Sequence, residues 1–400
     1  MTQRATVARP VGTFRTVLLL GLLDTFGPLS MDLYLPALPQ LAATLGTTDA
    51  LAQATMSVCM LGLGLGQLVV GPLSDRWGRR VPLICGVALF ALLSAVCALA
   101  PTIEVLLAAR ALQGLCGAAG VVVAFAVARD LFSGAQLSRV LSLLALVSAS
   151  APVLAPVAGG QLARVMDWRG IFWVLAVAGV LLVAAAWRLP ETLPAGRRSA
   201  GGARAMAGQF AHVLRDRLFV SLLCISALGG IGFFAYLSMS SFVVQNQFGF
   251  TPQLFSAVFA LNALANMAGA QVSRVLVARW GTGRTYLAGQ AAVGVAAAAL
   301  LVAAVTNGSP FLFLGFLSLY LMATGISSPN ATTLALEGHG ARAGTAAAVF
   351  GTASFAVGPV VAPLASLGGA TALTMAATIG LGAVAASVLA FVLVRPAAPR

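Results

Sequence analysis

The stretch VLLLGLLDTFGPLSMDLYLPALP, Val17 to Pro39, sets two aspartates, Asp24 and Asp32, inside an apolar run long enough to cross a bilayer. A carboxylate at membrane depth costs several kcal/mol, roughly 2.5 or more on insertion scales, so a chain that keeps two in one span has a use for them. Eight residues put them about 12 Å apart along a helix axis and ~80° apart in angle, on one broad face. One face predicts one cavity, where a carboxylate can take a proton from one side of the membrane and release it on the other.

The rest of the chain has the same solvent in view. Of 400 residues, 60% are hydrophobic and only 8% charged, against about 25% charged in a soluble domain. Apolar stretches of about 20 residues recur about twelve times, from about 16–37 to about 370–394, each ended by a short polar or Arg-bearing break. This predicts an all-α integral membrane protein whose first span is an uncleaved helix, since it is too long and too acidic for a signal peptide.

The formal charge of +13 rests on 23 basic residues, all arginine. With both termini cytoplasmic, twenty of the 23 fall in cytoplasmic segments, Arg164 and Arg169 fall outside, and Arg110 falls within a span. That is positive-inside placement, and it excludes the nucleic-acid partner that such a charge suggests in a soluble protein.

Cys59, Cys85, Cys97, Cys116 and Cys224 lie in predicted spans without metal-ligand spacing. His212 and His339 lie in loops, and no nucleophile–base pair or phosphate-binding loop appears. We therefore expect no enzyme, metal or cofactor, and no ATP-driven transport.

A charged interval with Arg197, Arg198, Arg204, Arg215 and Arg217 divides the chain into residues 1–189, a cytoplasmic linker 190–218, and residues 219–400. Arg76-Trp77-Gly78, after the second span, recurs as Arg279-Trp280-Gly281 after the eighth, as a six-helix repeat would place it. The first copy sits in Gly71-Pro72-Leu73-Ser74-Asp75-Arg76-Trp77-Gly78-Arg79-Arg80, whereas Ala278 replaces the acid in the second. A positive-inside turn needs the arginines but not the acid and the glycines, so Asp75 is expected to form ion pairs that change as helices move.

That loop resembles the signature of the major facilitator superfamily. Arg110-Ala111-Leu112-Gln113-Gly114 through Ala119 is similar to the fourth-span pattern of its drug:proton antiporters. Pro152, Pro156, Gly159 and Gly160 resemble the antiporter motif of the fifth span, with Ala151 and Ala155 where that motif prefers glycine. Leu189-Pro190-Glu191-Thr192-Leu193 closes the sixth span as in the family. Ser30 to Pro36, Pro329 to Leu336 and Arg342 to Ala346 resemble the Bcr/CflA subgroup of bicyclomycin and chloramphenicol-type exporters. The resemblance implies a twelve-helix bundle in two halves, gating at Gly71, Asp75, Arg76, Gly78, Arg79 and Arg80, and coupling to the proton gradient through Asp24, Asp32 and Arg110.

Arg110 needs a partner or polar lining within the membrane, and its depth suits Asp32, so a switchable Asp32–Arg110 interaction is expected. The second half brings no acid into its spans. It brings Phe233, Tyr236, Asn262 and Asn330, which with Gln113 form a candidate cavity for an amphipathic organic molecule. The expected activity is export of small organic antibiotics, phenicol-like compounds first, in exchange for protons across the bacterial cytoplasmic membrane by a monomer. The alternative is a proton-coupled importer of a small nutrient, which would be expected to line its cavity with more polar groups.

Overall fold

A computed structural model describes residues 13–194, 196, 198, 213–339, 343–354 and 356–394. Among them there is no strand. Helix α1 runs Thr13–Asp32, followed by a 3-10 turn, Leu35–Ala37, and short α2, Leu38–Thr44. Then come α3 (Asp49–Trp77), α4 (Arg80–Leu99), α5 (Ile103–Leu131), α6 (Gly134–Leu162) and α7 (Trp168–Ala186). The C-terminal helices are α8 (Arg217–Phe242), with a π-helical turn Val243–Gln247, then α9 (Pro252–Trp280), α10 (Thr282–Val305) and α11 (Pro310–Glu337). They end with α12 (Ala343–Ser354), α13 (Gly358–Ala365) and α14 (Ala372–Leu393).

Eleven helical segments among the described residues are long and apolar enough to cross a membrane. The eleventh of the twelve expected spans is represented by α12 and α13 together, with Pro359 and Pro363 entering where a continuous helix would lose backbone donors. Outward side chains such as Val295 and Leu381 are exposed and apolar, as a lipid-facing surface requires.

Local chemistry sets the helix ends. Thr48 and Thr251 each accept a backbone N–H at the start of α3 and α9, satisfying donors that the helix leaves unpaired. Both copies of Arg-Trp-Gly end their helix in a glycine with positive φ, +91° at Gly78 and +77° at Gly281. The three-residue repeat thus marks the same turn twice, at a conformation glycine adopts without penalty.

Helices α3 and α5 meet backbone to backbone. A Cβ at Gly114 would collide with the Cys59 carbonyl, and one at Gly62 with the Ala111 carbonyl. In the C-terminal half, α9 and α11 repeat the arrangement, with Gly269 against the Met322 carbonyl and Gly325 against the Asn266 carbonyl. Small residues allow this approach, which is how helices associate where no hydrophobic effect drives them together. Gly114→Val is expected to remove the correctly folded peak in detergent size-exclusion chromatography, whereas Gly64→Ala, at an open site, leaves it in place.

Candidate functional site

Both α1 aspartates are buried, but they face different partners. Asp24, in mid-helix, accepts a hydrogen bond from Ser148 of α6. Asp32 is the last residue of α1, where the helix C-terminus already carries partial negative charge. It lies near Tyr236 of α8. The acids therefore address separate neighbours, one within the N-terminal half and one across to the C-terminal half.

Arg110 is 0% exposed and is solvated by neutral groups. Its Nη1 donates to Gln113 Oε1 at 2.7 Å and its Nε to the Thr55 carbonyl at 3.4 Å. Its guanidinium lies 4.7 Å from the Tyr34 ring centroid and 5.4 Å from that of Phe172. Gln113 in turn donates to Ser94 Oγ at 2.6 Å. No ion pair joins Arg110 to Asp32 in this conformation, contrary to the expected contact: the cation is instead hydrogen-bonded to Gln113 and Thr55 and covered on one face by the Tyr34 ring. Gln113 is likewise fully buried within this network and does not line an open cavity.

Across from Asp32, Tyr236 stacks on Phe259 of α9 with centroids 5.2 Å apart and touches Phe233 at 6.3 Å. Asn262, one turn beyond Phe259, accepts from Ser318 Oγ at 2.6 Å. This bond turns the amide N–H₂ toward Tyr236, although neither group completes a well-formed hydrogen bond there. Phe233, Tyr236 and Asn262 are thus brought together. Asn330 is not: it bonds Ser273 Oγ at 2.7 Å and the Ile326 carbonyl, tying α11 to α9 nearer the Gly78 end.

Contacts between the two halves gather at the Asp32 end of the bundle. Ser241 and Gln245 donate to the Leu35 and Pro36 carbonyls, at 2.6 and 3.0 Å. Gln253 donates to the Gly160 carbonyl at 3.0 Å, Ser366 to Gln53 Oε1 at 3.1 Å, and the Ala370 N–H to Asp49 Oδ2 at 3.2 Å. The antiporter-like residues of α6 serve this seal. Gly159 lies against the Leu33 carbonyl and Gly160 against Ser256, each closer than a Cβ would permit. Pro156 is buried beside them and Pro152 is exposed one turn earlier. At the other end of α6, Gly134, Leu137, Ser138, Leu141, Ser142 and Ala145 border an open groove.

At the Gly78 end, Arg79 links Asp75 (2.6 Å) to Asp130 of α5 (3.1 Å), and Thr192 donates to the same Asp130 carboxylate. Gly78 leaves room for Glu191, which accepts the backbone N–H groups of Arg79 and Arg80 at the start of α4. Arg80 donates to the Trp187 carbonyl at 2.7 Å, Arg76 points outward, and Gly71 opens onto free space and is no close-approach glycine. Arg342 and His212 lie outside the described residues.

Partial burial pulls the Glu191 carboxyl upward, but the N–H groups of Leu193, Arg79 and Arg80, with the Arg198 charge, outweigh it and hold the group below its ordinary value. A depressed carboxyl stabilises the fold above the ordinary glutamate range, and that stabilisation fades as pH falls through the lowered value. The melting temperature of Glu191→Gln is therefore expected to lie below wild type at pH 7, with the gap closing between about pH 5 and pH 3.

Ser148, Tyr34, Phe172, Asp130 and Ser318 are not among the site residues that the sequence leads one to expect. Asp130 and Tyr34 had visible signals, an acid at a span end and a place beside Asp32; Ser148 and Ser318 had none, as serines are common in spans.

The sequence profile of the Major Facilitator Superfamily matches residues 20–363. The chain is a membrane transporter of the major facilitator superfamily. Among its relatives, the MFS-type transporter YdgK of Bacillus subtilis is 38% identical over 96% of both chains. The bicyclomycin resistance protein homolog of Haemophilus influenzae is 31% identical over 95% of this chain and 96% of its own. The chloramphenicol resistance protein of Pseudomonas aeruginosa is 33% identical, covering 84% of this chain and 80% of its own. A bacterial homologue of the human lysosomal transporter Spinster, solved inward-facing, superposes with a TM-score of 0.76 at 16% identity over 96% and 97% of the two chains, a likeness of fold.

Proposed function

We propose that this transporter exports small organic antibiotics, phenicol-like compounds first, in exchange for protons across the bacterial cytoplasmic membrane. The observation that carries this reading is Asp32, a buried acid at a helix end near Tyr236, which is gathered with Phe233 and Asn262 in the opposite half. Such a face suits a ligand with an aromatic body and a few hydrogen-bonding groups. The acid supplies a proton site beside it, with Asp24 a second such site toward the other end of α1. The chloramphenicol and bicyclomycin resistance relatives support the drug class.

With the Gly78 end cytoplasmic, as the arginine placement favours, the hydrogen bonds near Asp32 seal the outside and the groove on α6 opens inward. Proton uptake at Asp32 from outside and its release inside then alternate with drug occupancy of the same space, so that each favours a different arrangement of the halves. The chain acts as a monomer. The test is resistance of an efflux-deficient host expressing the wild type across a panel including chloramphenicol and bicyclomycin. Raised resistance with lowered drug accumulation is expected. Unchanged resistance with accumulation of a nutrient would replace the exporter by an importer.

A further inference from the structure

The segment Asp32–Pro36 does four things within five residues. Asp32 ends α1; the Leu33 carbonyl packs on Gly159; Tyr34 covers Arg110; and the Leu35 and Pro36 carbonyls accept the bonds from Ser241 and Gln245 that join the halves. Tyr34 is fixed on every side. It is 0% exposed, its ring lies 5.4 Å from that of Phe172, and its hydroxyl meets Thr55 Oγ1 at 2.9 Å. Because the Thr55 hydroxyl donates to the Ala52 carbonyl at 2.6 Å, Tyr34 is the donor in that bond. One face of the Arg110 cation is thus held by an aromatic ring, an attraction that strengthens when the pair is desolvated.

Arg110 is left with a spare group. Its Nη2 is buried and completes no well-formed hydrogen bond, and the other contacts of the cation are neutral. A buried charge without a carboxylate is poorly compensated, and Asp32 precedes Tyr34 by two residues in the chain. The carbonyls of the same segment accept the bonds that close this end, so breaking those bonds frees the stretch of backbone that carries the ring.

We propose that Tyr34 is a positioning residue that keeps Arg110 away from Asp32 while the Asp32 end is closed, and that opening of this end withdraws the ring and lets acid and cation meet. The inference rests on the reading of Asp32 and Arg110 as coupling groups. It adds the side chain that times their contact, and it makes closure depend on an aromatic face at position 34.

The test uses the full-length protein in lipid nanodiscs without drug. Spin labels go on Val165→Cys and Leu367→Cys, both exposed at the Asp32 end on opposite halves, with Cys85, Cys116 and Cys224 replaced by Ala and the buried Cys59 and Cys97 kept. Electron–electron distance measurement reads the open fraction. Tyr34→Leu is expected to raise it about threefold or more, and adding Asp32→Asn to return it to the starting value, because Arg110 then has no carboxylate to pair with. Tyr34→Phe, which keeps the ring, is expected to move less than half as far. A rise in Tyr34→Leu that persists with Asp32→Asn means lost packing alone and overturns the proposal. No rise, or equal effects of Leu and Phe, overturns it too. Since no drug is present, a chain that shows this coupling but exports nothing fails only the export reading.

Discussion

An Asp32→Asn protein is expected to insert and fold but to lose drug resistance by at least about tenfold relative to wild type. Asparagine keeps the size and hydrogen-bonding shape of the side chain and removes only its capacity to exchange a proton. The site is already buried and accommodates a neutral group readily, so stability should hold or rise. Binding of chloramphenicol to the purified protein, followed by equilibrium dialysis, should survive within a few fold, because Phe233, Tyr236 and Asn262 remain. Loss of transport with retained binding separates a coupling role from a merely structural one. Asp24→Asn is expected to be milder, since Ser148 can hydrogen-bond the amide as it does the acid.

The second large effect is expected at Gly160. Its Cα stands where α6 meets α9 across the halves, against Ser256 and with its carbonyl held by Gln253. Valine there must push the helices apart. Overpacking of this kind costs about 1–3 kcal/mol, a shift of roughly 5- to 150-fold between closed and open arrangements. Gly160→Val should therefore hold the Asp32 end open and reduce export about tenfold or more, with normal expression. Labelling of a cysteine placed at Ser256 by a membrane-impermeant maleimide added outside whole cells reads the change. Faster labelling in Gly160→Val is the expected result, and equal labelling would remove Gly160 from the seal.

Much of this architecture is legible in the sequence because bilayer physics imposes it locally. Apolar length marks the spans, and the two Arg-Trp-Gly copies mark turns that the structure closes with the same glycine conformation. Span eleven is less legible, since an apolar run that hydropathy joins is described as two short helices, α12 and α13, the second carrying Pro359 in its first turn and Pro363 within it.

The site is legible by residue type but not by pairing. Asp24, Asp32 and Arg110 stand out because charge in a span is costly. Ser148 meets Asp24 across 124 residues, and nothing local in the sequence announces that contact. The Asp32–Arg110 pair expected from depth alone gives way to Tyr34 and Phe172, because two rings around a guanidinium solvate it without a second buried charge. Gln113 and Asn330 are polar residues of the right kind whose side chains bond Ser94 and Ser273 on neighbouring helices of their own half.

The most direct measurement is drug-driven proton movement in inside-out vesicles carrying an acid interior and a pH-sensitive dye. With wild type, adding chloramphenicol should draw protons out of the vesicle and raise the interior pH. With Asp32→Asn at equal expression, the same addition should leave the pH unchanged. An undiminished response from Asp32→Asn would contradict the account, because the proton would then be travelling by a route that does not use the acid at the end of α1.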